Sequence, residues 1–96
     1  MSDKYILLGK TPIVEPDLIK WSTWFENANR CVAETKLNGK RISTVFLGLD
    51  HNFFSNGKPH LFETMIFPEC NYCERCSTWK EAEIQHEKAV NSLKEK

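Results

Sequence analysis

Cysteine carries the most conspicuous chemistry in this 96-residue chain, because three of its four cysteines follow one another at three-residue steps: Cys70, Cys73 and Cys76. Thiolates at such steps can surround a zinc ion at Zn–S distances of about 2.3 Å. A structural zinc site needs a fourth ligand, which would come from Cys31 or from a histidine without a paired spacing. Cys76 also precedes a predicted helix, whose N-terminus could lower the pKa of its thiol. Zinc is therefore one interpretation and a metal-free cysteine-rich loop the other, and no further cofactor is predicted.

A second set of residues could carry acid–base or metal-assisted chemistry: Asp50, His51, Glu63 and His86. Asp50 and His51 end one predicted strand and Glu63 lies in the next, so the three could converge across a hairpin. His86 would join them from a helix, but it occupies the apolar stripe of that helix, where a buried histidine bonded to a strand or a carboxylate is the commoner arrangement. Nothing in the spacing requires convergence. The sequence therefore predicts no complete catalytic constellation, and a small hydrolase stays an alternative.

A third set, of aromatic, basic and apolar residues, favours binding. Phe53 and Phe54 lie in a predicted loop, where aromatic rings are favoured anchors of protein interfaces and can stack on a nucleobase. Trp24 lies near the edge of a helical stripe, where it either stacks on a ligand or packs on the sheet as a rim tryptophan. The remaining candidates are Met65 on a strand, and Arg41 and Lys58, whose charges could meet a phosphate.

Turn signals and alternation predict the strands that position these residues. Tyr5 to Leu8 is a short apolar run that suits a strand. Asn38-Gly39 lies between two extended runs, and this pair is the strongest short hairpin signal because both residues tolerate positive φ. His60 to Phe67 is a further β-prone run after a polar, turn-forming segment. A meander of three strands therefore follows the first helix.

Two apolar stripes predict helices. The first stripe recurs at steps of three and four residues over about Asp17 to Asn29, at Leu18, Trp21, Phe25 and Ala28. The second stripe begins after Thr78, which has the spacing of a capping box with Glu81. It consists of Trp79, Ala82, His86, Ala89 and Leu93. We expect the second helix to fill most of the C-terminal part of the chain.

The predicted order is strand, helix, three strands, helix, which is an α+β domain over residues 1–96 with both helices on one face of an antiparallel sheet. The uncovered face should then be polar, but the strands are apolar on both sides, since Val45 alternates with Phe46 and Met65 with Ile66. Either loops cover that second face, or a ligand, a partner or a second copy does.

Composition excludes several classes of protein. Thirteen Lys and Arg residues balance thirteen Asp and Glu residues, which removes the electrostatic footprint of duplex nucleic-acid binding. The chain is 41% hydrophobic, too apolar for a disordered tail, and contains no apolar run of membrane-spanning length. Its first apolar patch is shorter than the core of a secretory signal. We therefore expect a cytoplasmic protein with reduced cysteines.

Several stretches form a specific pattern: ISTVFLGLDHNF over 42–53, LFETMIF over 61–67 and STW-x-EA-xxx-H over 77–86, preceded by W-x-x-WFE over 21–26. This pattern resembles a family of small uncharacterised proteins encoded by tailed bacteriophages and prophages, and the resemblance covers the chain from about Pro16 to Ala89. In the relatives a tyrosine tends to stand at the position of Cys76, and the cysteine series is not a hallmark of the family. That departure counts against a shared metal site.

The resemblance implies a viral context without implying a reaction. Phage proteins of this size are often accessory factors that bind a host component, including inhibitors of CRISPR effectors and sponges for immune signalling nucleotides. We therefore expect a non-enzymatic, phage-type accessory protein that blocks or sequesters a host factor in antiviral defence within the host cytoplasm. Its expected surface is the loop from Asp50 to Pro59 with the open strand face. The alternatives are a sponge for a small nucleotide, which suits a homo-oligomer, a metal-assisted hydrolase and a structural component of the virion.

Overall fold

The computed structural model describes residues 3–52, 57–68 and 72–94, and these ranges contain two helices and six antiparallel strands. In chain order the elements are β1 (Tyr5–Leu8), β2 (Thr11–Val14), α1 (Leu18–Asn27), β3 (Cys31–Leu37), β4 (Lys40–Phe46), β5 (Phe62–Phe67), β6 (Cys73–Cys76) and α2 (Trp79–Lys94). The α+β class is confirmed. Neither helix in the described ranges has the length and apolar character that crossing a bilayer requires.

A four-stranded sheet in the order β3-β4-β5-β6 forms the centre of the fold. The turn between β3 and β4 is Asn38-Gly39, with φ values of 55° and 74°. Left-handed values at both positions are those of the type I′ turn, whose twist matches that of the flanking strands. The predicted hairpin is therefore confirmed, and β5 continues the meander as expected.

One face of this sheet, called the inner face here, is buried under α2. The antiparallel register of β4 and β5 pairs Ile42 with Ile66, Thr44 with Thr64 and Phe46 with Phe62, and all six side chains are buried. Helix α2 packs across all four strands. Its buried residues are Ala82, Gln85, His86, Ala89 and Leu93, which contain four of the five members of the predicted stripe.

The N-terminal elements close one end of the inner face. Tyr5 and Leu7 of β1 pack against the core cluster that contains Phe46. The ring of Trp24 in α1 meets the ring of Phe46 edge-on, with 5.7 Å between centroids. Both helices therefore lie on the inner side of the sheet, as the layer argument predicts.

Helix α1 is shorter than the sequence predicts, because it ends at Asn27 instead of Asn29. Ala28 is already extended, with φ of −85° and ψ of 147°. The side-chain oxygen of Asn29 accepts a hydrogen bond from the backbone N–H of Cys31 at 3.0 Å. Such a local turn competes with helical bonding and leads the chain into β3.

A glycine contact anchors α1 to the rest of the fold. Gly48 has φ of 79°, and a Cβ added there would lie 2.8 Å from Cε2 of Phe25. The indole N–H of Trp21 donates to the carbonyls of Tyr5 at 3.0 Å and Gly48 at 3.1 Å. The close approach of the aromatic residues of α1 therefore requires a residue without a side chain at position 48.

Two strands were missed by the sequence reasoning. Strand β2 contains Pro12 and pairs only with β1, in a separate two-stranded sheet, which is the edge position that proline tolerates. Strand β6 lies in the cysteine-rich segment and pairs with β5. Its sequence, CERC, shows no apolar alternation, and only its partner strand identifies it as a strand.

Candidate functional site

The second face of the four-stranded sheet, called the outer face here, holds the candidate binding surface. Its side chains follow from the register: Glu34 and Lys36 on β3, Arg41, Ser43 and Val45 on β4, Glu63, Met65 and Phe67 on β5, and Cys73 and Arg75 on β6. Helices α1 and α2 and strand β1 pack on the inner side. Within residues 3–52, 57–68 and 72–94, no helix or strand lies over the outer face. Six of these ten side chains are charged or polar, and the apolar part of the face consists of Val45, Met65 and Phe67.

The outer face has an apolar centre between two ion pairs. Val45 and Met65 are half-buried by their neighbours in the sheet. On one side of them, Glu63 accepts hydrogen bonds from Nε of Arg75 at 2.9 Å and from the thiol of Cys73 at 3.3 Å. The second ion pair joins Arg41 to Glu34 at 3.1 Å. The centre can thus bury apolar area against a partner while the ion pairs discriminate between partners by charge.

The proposed catalytic convergence is wrong for Glu63 and His86, because they lie on opposite faces of the sheet. Glu63 belongs to the outer face, whereas His86 of α2 is 7% exposed and packs on the inner face. Both ring nitrogens of His86 are occupied there: Nε2 lies 2.9 Å from Oγ1 of Thr35, and Nδ1 lies 2.8 Å from Oγ1 of Thr44. Burial lowers the pKa of His86 below its ordinary value.

The other two catalytic candidates organise the start of the segment between β4 and β5. Oδ1 of Asp50 accepts hydrogen bonds from the backbone N–H groups of Asn52 at 2.8 Å and His60 at 2.9 Å. Nδ1 of His51 donates to the carbonyl of Leu49 at 2.9 Å. These are the bonds of a turn, in which the carboxylate satisfies backbone donors that no strand partner reaches.

The bonds of His86 continue through the core as a polar chain that the sequence reasoning missed. The hydroxyls of Thr44 and Thr64 lie 2.6 Å apart, and Nε2 of Gln85 donates to Oγ1 of Thr64 at 2.9 Å and to the carbonyl of Glu74 at 2.9 Å. The available signal was two threonines on the same side of β4 and β5 as the large apolar residues, facing a stripe that carries His86. This is the arrangement of a satisfied structural network.

Cys73 and Cys76 do not come together in space, as the zinc interpretation of their spacing would require. Both lie in β6, where side chains alternate between faces, so a three-residue step sends the two thiols to opposite sides of the sheet. Cys73 is bonded to Glu63 on the outer face, whereas Cys76 packs against the inner core cluster. Cys70 lies outside the described residues. Within the described part of the chain, no group of three His, Cys, Asp or Glu side chains is placed to hold a metal ion.

The position of Cys76 before α2 does not lower the pKa of its thiol. Burial, followed by the charge of Glu81, raises the pKa of Cys76 to about 11, so the thiol is protonated at neutral pH. The pKa of Cys73 is also raised, first by burial and then by its hydrogen bond to Glu63. The positive charge of Arg75 acts on Cys73 in the opposite direction, but the effects that raise its pKa outweigh it.

The predicted binding residues are spread over different parts of the molecule. Trp24 packs edge-on against Phe46, as the rim interpretation has it. Lys58 lies close enough to Glu81, at the start of α2, to help lower the pKa of that carboxyl, after the larger effect of the Thr78 hydroxyl.

Arg41 lies at the other end of α2 from Lys58. It follows the hairpin turn, whose Asn38 side chain donates to the carbonyl of Leu93 at 3.4 Å. Glu81 and Leu93 are separated by about 18 Å along the helix axis, so Lys58 and Arg41 do not meet one phosphate. Met65 lies on the outer face, and Phe53 and Phe54 lie outside the described residues.

A cavity of about 590 Å³ opens at the tip of the β3–β4 hairpin. Its lining residues are Lys36, Leu37, Asn38, Gly39, Lys40, Arg41, Phe67 and Pro68. The guanidinium carbon of Arg41 lies 4.5 Å from the ring centroid of Phe67, which is a cation–π contact. The sequence indicated Arg41, but the meeting of the hairpin tip with the end of β5 depends on the strand register and was not predicted.

Comparison of the chain with known protein families, with curated proteins and with solved structures finds no match. The geometry brings together no catalytic set from the residues that the sequence singled out. It does provide an uncovered sheet face in the described ranges and, at one end of that face, a cavity whose lining includes Lys36, Lys40 and Arg41. The function of this chain is therefore inferred from the surfaces of the chain itself.

Proposed function

We propose that this chain is a non-enzymatic, phage-type accessory protein that binds a host protein through the outer face of its sheet and so blocks or sequesters it. The single observation that carries the proposal is the apolar centre at Val45 and Met65, over which no element of the described ranges packs. The viral setting, the host cytoplasm and the role in antiviral defence follow from the resemblance of the sequence pattern to phage proteins.

A sheet with helices on one side ordinarily alternates apolar residues inward with polar residues outward. Here the outward side of β5 has Met65 and Phe67 beside Glu63, and its neighbour in β4 contributes Val45. Burying such side chains stabilises a complex by roughly 25 cal/mol for each Å² of apolar surface removed from water. The outer face is therefore suited to association.

The size of the face sets a requirement on the complex. The sheet spans roughly 14 Å across its four strands and roughly 24 Å along the seven residues of β4, or roughly 350 Å² in projection. A stable protein interface buries about 800 Å² on each partner. The contact must therefore extend beyond the strands, and the loop from Asp50 to Pro59, which connects β4 to β5, is the segment that we include in it.

The test compares host proteins captured from lysate by the immobilised wild-type chain and by two variants of matched chemistry. Met65→Glu places a charge at the apolar centre of the outer face. Ile84→Glu makes the same kind of change at a residue of α2 that is 52% exposed and lies away from that face. Thermal unfolding of each variant first shows that the fold is retained.

We expect a host protein that is retained by the wild type and by Ile84→Glu and lost with Met65→Glu. The activity of that host protein, assayed with purified components, should fall when the wild-type chain is added in equimolar amount. Equal capture by both variants would show that the outer face is not the interface. Capture of no host protein at all would contradict the proposed function.

A further inference from the structure

Strand β3 is an edge of the four-stranded sheet, because no strand in the described ranges pairs with its outward side. In a hairpin with a two-residue turn, the pair that flanks the turn exchanges two backbone hydrogen bonds, as does every second pair after it. Leu37 and Lys40 flank the turn here, so Thr35 is the next residue of β3 that is bonded to β4. The backbone N–H and C=O groups of Glu34 and Lys36 therefore point away from β4, toward the position of a further strand.

These two residues carry opposite charges on the same face. Glu34 and Lys36 lie two positions apart on the outer face, and both side chains are exposed. Glu34 pairs with Arg41 at 3.1 Å, whereas Lys36 forms no ion pair with any residue that the structure describes. The carboxylate of Glu34 has lone pairs for a second cation. The edge of β3 therefore presents both an acceptor and a donor of a salt bridge.

A second copy of this chain is complementary to that edge. When two β3 strands pair antiparallel about a two-fold axis at Thr35, Glu34 of each copy lies opposite Lys36 of the other copy. Each of these pairs exchanges two backbone hydrogen bonds and brings opposite charges together. An axis at Glu34 or at Lys36 would instead place like charges opposite each other, which is destabilising. The charges therefore select one register.

Charged residues on an edge strand ordinarily prevent pairing. A lysine alone has that effect on self-association because an identical strand brings the same charge opposite it. The two-residue spacing of Glu34 and Lys36 has the reverse effect in the register centred on Thr35, because each charge meets its opposite. The irregularity between Cys31 and Ala33 limits the paired segment to residues 33–37.

The other edge of the sheet, β6, is less suited to pairing with a second copy. It has four residues, compared with seven in β3. Its charged residues, Glu74 and Arg75, are adjacent, so their side chains point to opposite faces and do not meet across an axis. The carbonyl of Glu74 also accepts a hydrogen bond from Gln85. The edge at β3 is therefore the one that matches itself.

We propose that two copies of this chain pair through β3, antiparallel and with the two-fold axis at Thr35, to form a dimer with one continuous sheet. The axis is perpendicular to the sheet, so the outer faces of both copies lie on the same side. This dimer goes beyond the proposed function. Its test contains no host protein, so a failure of the test leaves the proposed function standing, and a failure of host-protein capture leaves the dimer standing.

Sedimentation velocity of the full chain, at concentrations from about 5 to about 500 µM, measures the association. We expect a dissociation constant of the wild-type dimer at or below about 100 µM. Glu34→Lys places lysine opposite lysine in the homodimer, and Lys36→Glu places glutamate opposite glutamate. Each variant alone should associate at least about tenfold more weakly than the wild type. Because Lys36→Glu keeps the ion pair between Glu34 and Arg41, its effect does not come from losing that pair.

An equimolar mixture of these two variants tests the register. One chain has two lysines at the edge and the other has two glutamates, so opposite charges meet at both paired positions when the variants bind each other. We expect a heterodimer with a dissociation constant within about threefold of the wild-type value. A loss of structure in either variant would not produce it.

The matched control variants are Glu74→Lys and Lys88→Glu. Both residues are exposed and lie beside the groove between β6 and α2, at the opposite edge of the sheet. They undergo the same two charge reversals as the test variants. Each control should dimerise as tightly as the wild type, because neither residue lies near the axis.

Three results would overturn the proposal. The first is a wild-type chain that is monomeric at about 500 µM, well above the largest dissociation constant allowed here. The second is dimerisation of Glu34→Lys or Lys36→Glu alone as tight as that of the wild type, which would place the interface elsewhere or in another register. The third is a mixture of the two variants that stays monomeric although the wild type dimerises.

Discussion

Replacing Thr44 by valine tests the polar chain under α2, because valine has nearly the same shape as threonine and lacks only the hydroxyl. Thr44 is fully buried, and its Oγ1 lies 2.6 Å from Oγ1 of Thr64 and 2.8 Å from Nδ1 of His86. Two hydrogen bonds are lost, each with a net contribution of about 0.5–1.5 kcal/mol. The hydroxyl of Thr64 keeps its bond to Gln85, but Nδ1 of His86 is left buried without its partner, which costs about 1 kcal/mol more.

The free energy of unfolding should therefore fall by about 2–4 kcal/mol. For a domain of this size, each kcal/mol corresponds to roughly 4–8 °C in the melting temperature. Urea and thermal unfolding at pH 7.5, followed by circular dichroism, measure the change. Thr44→Ser keeps the hydroxyl and should lose only about 1 kcal/mol for the missing methyl group, and Thr11→Val, at an exposed residue of β2, should be nearly neutral. A Thr44→Val protein that is less than about 0.5 kcal/mol from wild type would refute the network.

Two further predictions concern His86 and Gly48. The pKa of His86 is lowered in the folded chain, so the unfolded chain binds more protons. The free energy of unfolding should therefore be highest above about pH 6.5 and fall as the pH drops from 7.5 to 5.5. Urea unfolding that shows no decline in this window, which lies above the titration of Glu81, would contradict the prediction. Gly48→Ala combines a left-handed φ with a Cβ 2.8 Å from Phe25 and should lower the free energy of unfolding by about 2–4 kcal/mol. Gly9→Ala, with φ of 65° and nothing within 4 Å, should lower it by only about 1 kcal/mol. Equal losses in urea unfolding would show that the aromatic contact is not tight.

Local signals in the sequence predicted the elements that depend on local physics. The Asn38-Gly39 turn forms as expected because both residues adopt the left-handed conformation that the turn requires. Helix α2 follows its apolar stripe, and its first turn has the expected capping box: Glu81 N–H donates to Oγ1 of Thr78 at 3.1 Å, and Oε1 of Glu81 accepts from the Thr78 N–H at 3.1 Å. These features need no information from distant residues.

The parts that sequence reasoning missed depend on distant pairing. Nothing within β6 indicates a strand, and its three-residue cysteine steps suggest a metal site until the pairing of Cys73 with Met65 sets alternate faces. The cavity at the hairpin tip likewise exists only because β5 ends beside the β3–β4 turn, which brings Phe67 to Arg41. Spacing along the chain carries neither piece of information.

The sequence also left open which side of the sheet the helices cover, since both sides carry apolar residues. The buried polar residues decide it. On the inner side, Thr44 and Thr64 meet His86 and Gln85 of α2, and every one of these groups is bonded. Packing α2 on the other side would bury the charged groups of Glu63 and Arg75, whose desolvation opposes that arrangement.

That alternative would also leave the side chains of His86 and Gln85 without the threonine hydroxyls, at about 1–3 kcal/mol for each unpaired group. These penalties add to the loss of the apolar burial that the inner face provides at Phe46, Phe62 and Ile66. Of the candidate catalytic residues, His86 is therefore the one that helps to fix α2 on the inner face, together with Gln85 and the threonines. The side with Val45 and Met65 is left uncovered by both helices, as the proposed function requires.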